Sequence, residues 1–193
     1  MNTILPASYQ DDAKLPFFRV MTEYMPRRYP VETINQLFSR SLILDFKEGG
    51  AQTSVVENVA KILRKRYRRN ISSTIFVCMP ASTEDKHKNR YACFSERVAM
   101  LAGCKDGYKY IKINNDIEEK HKTHFCKKRF REHFTIDESI SGKKCIIFDD
   151  VITSGKTAKL FIDELRSKGA IVISAVFLGI TIKPTNNGNK ATA

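Results

Sequence analysis

Apolar residues recur along the first half of the chain at spacings that predict two helices and then a strand. The helices are predicted from about Val31 to Gly50 and from Ser54 onward, because apolar residues return there every three or four positions. The continuous apolar run from Thr74 to Met79 predicts a strand that is buried on both faces. A loop is predicted at 81–89, where the residues are polar and show no period.

The second half of the chain continues this alternation. A helix is predicted from Tyr91 to Leu101, and the residues from Tyr108 to Ile113 alternate as those of a strand do. The apolar runs from Lys144 to Asp149 and from Ile171 to Leu178 predict two more strands, with a helical pattern between them. Strands that alternate with helices are typical of an α/β fold, so we expect a parallel sheet flanked by helices.

The chain divides into three segments by pattern. Residues 1–30 contain four prolines and no sustained period, so we interpret them as an N-terminal arm or loop. The folded domain is expected over residues 31–182. Residues 183–193 are polar and rich in Asn, so a disordered tail is predicted there.

The composition of the 193-residue chain adds one strong signal, its positive charge. A hydrophobic content of 42% excludes a wholly disordered polyelectrolyte and is typical of one ordinary domain. The 33 Lys and Arg residues exceed the 21 Asp and Glu residues, which gives a formal charge of +12. This excess favours an anionic partner: nucleic acid, an acidic membrane surface or a phosphorylated small molecule.

Hydropathy and cysteine usage indicate a cytoplasmic protein that does not enter a membrane. The most apolar stretch, Ile171 to Ile180, has about half of the ~20 residues that a helix needs to cross a bilayer. No basic stretch leads into an apolar run at the N-terminus. The five cysteines include no C-x-x-C pair, which is typical of free thiols in a reducing compartment.

The segment from Cys145 to Thr157 carries the most specific chemistry in the sequence. A buried strand leads into Asp149 and Asp150, and ligands of parallel sheets gather at the carboxyl ends of the strands. A turn of small residues follows and opens a helix, whose N-terminal N–H groups favour an anion by about 0.3–1 kcal/mol. The segment therefore offers acceptors for hydroxyl groups beside donors for a phosphate. The residues of the turn are Thr153, Ser154, Gly155, Lys156 and Thr157.

Three other interpretations of the polar residues are weaker. Ser154 alone could be a helix cap beside two ordinary loop acids. A nucleotide-binding P-loop would need glycine at position 150, where this chain has Asp150. A metal site could be formed near residue 130, although interleaved Lys and Arg residues would oppose a bound cation. Its potential ligands are His121, His124, Cys126 and His133.

Residues 145–157 resemble the donor-binding signature of the type I phosphoribosyltransferases, which is an apolar run, two acids, two further residues and a T-S/T-G-x-T turn. The resemblance implies a type I phosphoribosyltransferase-like fold and phosphoribosyl pyrophosphate (PRPP) as the ligand. It implies that Asp149 and Asp150 hold the ribose hydroxyls, and that Thr153 to Thr157 bind the 5′-phosphate. It also implies that Mg²⁺ arrives with the pyrophosphate and is reached by the two acids mainly through water.

Outside this signature the chain is similar to the competence protein F-like branch of that family. The family's pyrophosphate loop would be Ala81, Ser82 and Thr83 in this chain. Arg90 precedes the next helix, and the resemblance implies a place for it in donor binding, although Tyr-Ala-Cys follows it where the branch usually has Gly-Phe-Asn. Members specific for 6-oxopurines commonly have an acid where this chain has Thr153, which argues against hypoxanthine or guanine as acceptor.

Two basic segments have both a structural and a functional interpretation. The insert at 118–133 carries six Lys or Arg residues against three Glu. It is either a solvated loop or, as in the family, a flexible loop that closes over pyrophosphate, with Arg129 as one candidate cation for the leaving group. The cluster at 61–69 lies at a helix C-terminus, where the helix dipole favours cations, and weak contact with nucleic acid is the alternative.

The sequence therefore predicts a phosphoribosyltransferase that uses PRPP and Mg²⁺, transfers phosphoribosyl to a nitrogen acceptor and releases pyrophosphate. The alternative is a PRPP-sensing regulator, or a nucleic-acid-associated protein with the same fold and a role like that of competence proteins. The acceptor stays open, and a homodimer is expected only because such folds often pair.

Overall fold

The computed structural model describes residues 18–50, 52–114 and 127–184, without the side chains of residues 127–129. Strands and helices alternate along most of these ranges. They are β1 (Phe18–Tyr24), α1 (Ile34–Lys47), α2 (Gln52–Tyr67), β2 (Thr74–Cys78), α3 (Glu84–Ala102), β3 (Lys105–Asp106), β4 (Ile111–Ile113), α4 (Lys127–Glu132), β5 (Phe134–Ile136), β6 (Lys144–Ile152), α5 (Lys156–Ser167) and β7 (Ile171–Thr181).

Five of the strands form one sheet in the order β1-β7-β6-β2-β3, and every neighbouring pair in it is parallel. One face of this sheet packs on α1, α2 and α3, and the other packs on α5 and a small antiparallel pair, β4 and β5. All five residues of β2 are buried, as expected for a strand covered on both faces. The predicted α/β architecture, a parallel sheet flanked by helices, is confirmed.

Strand β1 lies within the segment that we interpreted as an arm or loop, and that interpretation is wrong for Phe18–Tyr24. The strand pairs with β7 at the edge of the sheet, from Phe18 opposite Ala175 to Tyr24 opposite Thr181. Pro16 and Pro26 flank it in sequence, and they hid a strand of only seven residues. Pro26 is tolerated because it lies beyond Tyr24, the last paired residue of this edge strand.

Helix α3 begins at Glu84, so the predicted loop at 81–89 is too long. The Thr83 side chain accepts a hydrogen bond from the backbone N–H of Lys86 at 3.1 Å and caps the helix. Glu84 and Asp85 occupy the first turn, where the helix dipole favours negative charge. This first turn is polar and exposed, and therefore gives no apolar period in the sequence.

The strand predicted from Tyr108 to Ile113 is also corrected. Tyr108–Tyr110 form a 3₁₀ turn, and only Ile111–Ile113 are extended. These three residues pair antiparallel with Phe134–Ile136 outside the main sheet. The place in the main sheet goes to the two-residue strand β3, which is too short for a periodic signal. Among the described helices, none is long and apolar enough to cross a bilayer.

Five buried aromatic rings join the helical layer to the strand that carries the acids. Adjacent ring centroids lie 4.8–6.4 Å apart, largely in tilted or edge-to-face pairs. Because the rings come from α1, β2, α3 and β6, the cluster fixes these four elements against one another. The rings belong to Phe46, Phe76, Tyr91, Phe94 and Phe148.

We predict that Phe46→Ala lowers the free energy of unfolding by about 3–5 kcal/mol, because it removes a fully buried ring from the centre of this cluster. Phe38→Ala on the same helix is the matched control, since the Phe38 side chain is 70% exposed, and it should change stability by less than about 0.5 kcal/mol. Urea unfolding of the two variants measures the difference. Equal effects would contradict the assigned packing of α1.

Candidate functional site

Asp149 and Asp150 lie in β6 at the point where the sheet opens. Pairing with β2 ends at Cys78 opposite Phe148, and the backbone N–H of Met79 donates the last bond to Phe148 O at 2.9 Å. Pairing with β7 continues to Ile152. The two acids are therefore held by a strand on one side and left uncovered by backbone on the other, at the carboxyl edge predicted from the sequence.

Asp149 lines an open cleft of about 160 Å³ together with the turn that follows β6. The polar part of the lining is Asp149, Thr153, Ser154, Gly155 and Thr157. The structure thus brings together five of the seven residues that the sequence predicted for the ribose and the 5′-phosphate of the donor. Asp150 is not part of the cleft wall. Lys156, also predicted, is exposed but is absent from the cleft wall.

Gly155 shapes the turn and starts α5. Its φ of +72° lies in the left-handed region, which a residue with a side chain adopts only under strain. Gly155 itself is the N-cap, and no side chain caps this helix within the described chain. Ser154 is therefore not the cap, and the first N–H groups of α5 are left for an anion.

The Asp149 carboxylate is held by two donors and has a perturbed pKa. Its Oδ1 accepts a hydrogen bond from the Tyr91 hydroxyl at 3.1 Å and one from the Asp150 backbone N–H at 2.9 Å. Burial, with the negative charge of Asp150, raises the pKa of Asp149 to about 7. Burial, with the charges of Asp150 and Asp149, also raises the pKa of Tyr91 well above its ordinary value, so its hydroxyl stays a donor.

The Asp150 carboxylate is neutralised by two cations from the helical layer. Arg90 Nη1 forms a hydrogen-bonded ion pair with Asp150 Oδ2, and Lys47 Nζ lies 3.8 Å from Oδ1. Arg90 Nε also donates to the backbone carbonyl of Lys47 at 3.2 Å, which ties α3 to the end of α1. The structure therefore places Arg90 at the site, in contact with an acid. Lys47 and Tyr91 were not predicted as site residues. In the sequence Lys47 is marked only by its position at the end of a helix, and Tyr91 only by its position after Arg90.

The loop Ala81–Thr83 follows β2 and lies at the same edge of the sheet as the acids. Two histidines hold the backbone of Ala81, one at its N–H and one at its carbonyl. His133 Nε2 donates to Ala81 O at 2.6 Å, and His87 Nδ1 accepts from the Ala81 N–H at 3.4 Å. We call this arrangement the histidine clamp. The clamp joins the loop to the residue directly after α4, which ends the basic insert.

Burial and aromatic contacts fix the His87 half of the clamp. Burial, with the charges of Arg90 and His133, lowers the pKa of His87 to about 4, so the ring is neutral at physiological pH and can accept from Ala81. It stacks on Tyr108 with ring centroids 5.2 Å apart. Its Nε2 is buried with no hydrogen-bond partner among the described residues.

Some predicted residues lie outside the described part of the chain. The Arg129 side chain is one of these, as are His121, His124 and Cys126 of the alternative metal site. His133, the remaining member of that set, donates a hydrogen bond to the backbone carbonyl of Ala81. Across the described ranges, no group of three or more His, Cys, Asp or Glu side chains is arranged to hold a metal ion.

Comparison with known proteins gives one family match, to the phosphoribosyl transferase domain over residues 111–190. This match covers less than half of the 193-residue chain and includes Asp149, Asp150 and the turn after them. Over 32 residues the chain is 53% identical to the transcriptional regulator GfcR 2 of Methanosarcina barkeri (strain Fusaro / DSM 804). That alignment spans 17% of this chain and only 16% of the regulator.

Two solved structures are similar to the chain at low identity. The adenine phosphoribosyltransferase of Leishmania donovani is 12% identical with a TM-score of 0.44, over 90% of this chain and 91% of that one. The adenine phosphoribosyltransferase of Leishmania tarentolae is 15% identical with a TM-score of 0.42, over 82% of this chain and 81% of that one. At this level of similarity neither structure identifies a substrate.

We predict that Asp149→Asn gains stability relative to the parent protein as the pH rises. The unfolded carboxyl ionises near its ordinary pKa of about 4, whereas the folded one holds its proton until about 7. The parent protein therefore loses stability from this group between these pH values, and a variant that does not titrate loses none. The difference in unfolding free energy between the Asp149→Asn variant and the parent protein should change by about 1–3 kcal/mol between about pH 4 and about pH 8.

Thermal or urea unfolding across that pH range measures the gap. Asp45→Asn makes the same chemical change at an exposed position on α1 and serves as the control. A gap for Asp149→Asn that stays constant with pH would contradict the buried environment assigned to this carboxyl.

The histidine clamp yields a separate prediction. His133→Leu removes the donor to Ala81 O and leaves a buried carbonyl unsatisfied, which should cost about 1–3 kcal/mol. His133→Gln places an amide donor at similar reach and should recover part of that loss. Urea unfolding gives the stabilities, and hydrogen exchange at Ser82 and Thr83 reports on the loop. If Leu and Gln behave alike, the hydrogen bond does not hold the loop.

Proposed function

We propose that the protein is a phosphoribosyltransferase that takes phosphoribosyl from PRPP, with Mg²⁺, and transfers it to a nitrogen acceptor as pyrophosphate leaves. One observation carries this proposal: Asp149 lines the same cleft as the turn from Thr153 to Thr157. A carboxylate beside an uncapped helix N-terminus suits a ligand that has hydroxyl groups and a phosphate on one small frame. The match of residues 111–190 to the phosphoribosyl transferase domain supports the same activity.

The two acids take different parts in this proposal. Asp149 faces the cleft and accepts hydrogen bonds from the ribose hydroxyls of the donor. Asp150 is already paired with Arg90 and Lys47, so its main effect is to hold those cations beside the site. The 5′-phosphate lies against the N–H groups that begin α5 and the hydroxyls of the turn. Hydrogen bonds to an ionised group of this kind are the stronger class in proteins.

The residues at the cleft fit a magnesium ion that arrives with the donor. Mg²⁺ prefers carboxylate and water oxygens and keeps several waters when it binds beside phosphates. Asp149 offers a carboxylate oxygen on the cleft wall, and a nearby cation would favour its ionised form. Asp150 would contribute through water, since Arg90 and Lys47 already occupy its oxygens. When bound, the ion would neutralise part of the charge of the pyrophosphate.

In the proposed reaction, the bond from the anomeric carbon to the pyrophosphate oxygen breaks as the bond to the acceptor nitrogen forms. The protein contributes orientation of the sugar and stabilisation of charge. A thiol nucleophile has no support among the described residues at the sheet. Burial raises the pKa of Cys78 well above its ordinary value and raises that of Cys145 to about 12, so both stay thiols.

The finer assignments belong to the same proposal. Ala81, Ser82 and Thr83 lie at the correct edge of the sheet for a pyrophosphate loop, and the clamp holds the first of them. Arg129 is proposed to supply charge to the leaving group. The placement of the chain in the competence protein F-like branch rests on the sequence patterns alone. The acceptor stays unassigned beyond its nitrogen nucleophile.

A second candidate is a regulatory protein that binds PRPP at this cleft without turning it over. The specific observation in its favour is the local identity to a transcriptional regulator over 32 residues. Both candidates use the same residues for the donor, so only turnover separates them.

The double variant Asp149→Asn with Asp150→Asn should lower affinity for PRPP in the presence of Mg²⁺ by at least about 100-fold, or about 2.7 kcal/mol. The reason is that it removes the acceptors for the ribose hydroxyls and the charge that orders Arg90 and Lys47. Isothermal titration calorimetry measures the affinity, and circular dichroism establishes that the variant is folded. Asp45→Asn with Asp163→Asn makes the same charge change away from the cleft. The single variant Asp149→Asn covers the case in which unpaired cations unfold the double variant.

A pyrophosphate-release assay with purines, pyrimidines and simple amines as acceptors then tests the reaction. Release that depends on an acceptor supports the transferase. Tight PRPP binding without release for any acceptor favours the regulator. Absence of PRPP binding by the parent protein would overturn both candidates.

A further inference from the structure

A broad basic surface lies at the end of the sheet where the strands begin, opposite the cleft. Its members come from the second half of α2, from the 3₁₀ turn after it, and from the first residues of β3 and β6. All of them are exposed, and we call this surface the basic edge. It comprises Lys61, Arg64, Lys65, Arg66, Arg68, Arg69, Lys105 and Lys144.

The course of α2 places the basic edge far from the donor site. At its start, the Gln52 side chain donates to the backbone carbonyl of Arg90, a site residue, at 3.1 Å. Its 16 residues span about 24 Å. The chain then passes through one 3₁₀ turn into Thr74, the first residue of β2. The cations at the end of α2 therefore cannot neutralise a ligand in the cleft.

The first residues of neighbouring strands extend the surface sideways. Lys144 lies opposite Thr74 in the pairing of β6 with β2, and Lys105 lies opposite Ile75 in the pairing of β3 with β2. Neighbouring strands are about 4.8 Å apart, so these two lysines flank the entrance to β2 closely. The six cations before β2 and the two beside it therefore lie at the same end of the sheet.

The helix dipole explains only part of this positive charge. Cations in the last turn of a helix are favoured by the dipole, and that accounts for Arg64, Lys65 and Arg66. Lys61 lies before the last turn, and Arg68 and Arg69 lie beyond the helix. Arg66 aside, no member of the basic edge forms an ion pair with a carboxylate of the described residues. The unneutralised charge points to an external anion.

From this arrangement we infer that the basic edge binds the phosphate backbone of nucleic acid. Four of its eight members are arginines, whose planar fork matches phosphate oxygens. Lys61, Arg64 and Lys65 recur at helical spacing as one exposed stripe on α2, and Arg68 follows directly after the helix. Such a row of cations can follow a row of phosphates. The apolar residues of α2 are turned inward, so the helix has no apolar face to insert into a membrane. Contacts of this kind are to phosphates and carry no base specificity.

The experiment follows a fluorescently labelled DNA duplex of about 20 base pairs by anisotropy, from about 50 to about 200 mM NaCl. The test variant replaces Lys61, Arg64, Lys65 and Arg68 with Gln. Its affinity at about 100 mM NaCl should fall at least about tenfold, and the slope of log affinity against log salt should become shallower by about 2–4. Vesicles that contain phosphatidylserine are measured in parallel as the competing anionic surface.

The matched control replaces four exposed cations on the other face of the sheet with Gln, so that both variants have the same net charge. It should retain the affinity and the salt slope of the parent protein. The control positions are Lys109, Lys112, Lys159 and Arg166. Thermal unfolding of both variants establishes that they are folded.

Each result decides the matter. Loss of DNA binding in the test variant alone supports the basic edge as the site. Equal loss in both variants would mean that net charge, and not this surface, drives binding. Absence of DNA binding by the parent protein, or stronger binding to the vesicles than to DNA, would also overturn it. The measurement uses no PRPP, so its outcome is independent of the proposed transferase activity.

Discussion

The arrangement of the carboxyl edge depends on one constraint, which is that two carboxylates occupy consecutive positions of a buried strand. Two ionised acids this close repel each other in a medium of low polarity. The protein resolves the conflict differently for each acid. Asp150 is paired with Arg90 and Lys47, whereas Asp149 is held by neutral donors and has a pKa near 7. One acid is thereby engaged in ion pairs, and the other is left facing the cleft.

This resolution requires α1 and α3 to meet β6 in one register. Lys47 ends α1, while Arg90 and Tyr91 lie on successive positions of α3. The aromatic cluster supplies the rigidity, because Tyr91 contributes its ring to that cluster and its hydroxyl to Asp149. The same side chain therefore belongs to the hydrophobic core and to the site. Packing in the helical layer and charge compensation at the sheet edge are parts of one structural unit.

The parts of the fold and site that were predictable from sequence are the local ones. The segment from Cys145 to Thr157 is contiguous, so its acids, turn and helix start could be identified without the fold. Arg90 and Asp150 are 60 positions apart, and His133 and Ala81 are 52 apart, so their contacts are created by the topology of the sheet. Strand β1 was missed because prolines flank it in sequence, and the first turn of α3 was missed because a polar turn carries no apolar period.

The positive charge of the chain is divided by the fold between two edges of the sheet. At the carboxyl edge, Arg90 and Lys47 form ion pairs with Asp150. A phosphate in the cleft would therefore be bound by the N–H groups of α5 and by ions that arrive with it. At the amino edge, the cations of the basic edge have few acids near them. Backbone dipoles bind small anions at fixed geometry, whereas flexible exposed side chains suit a long polyanion whose position varies. Under the two proposals, the two ends of the sheet would therefore bind anions of different size.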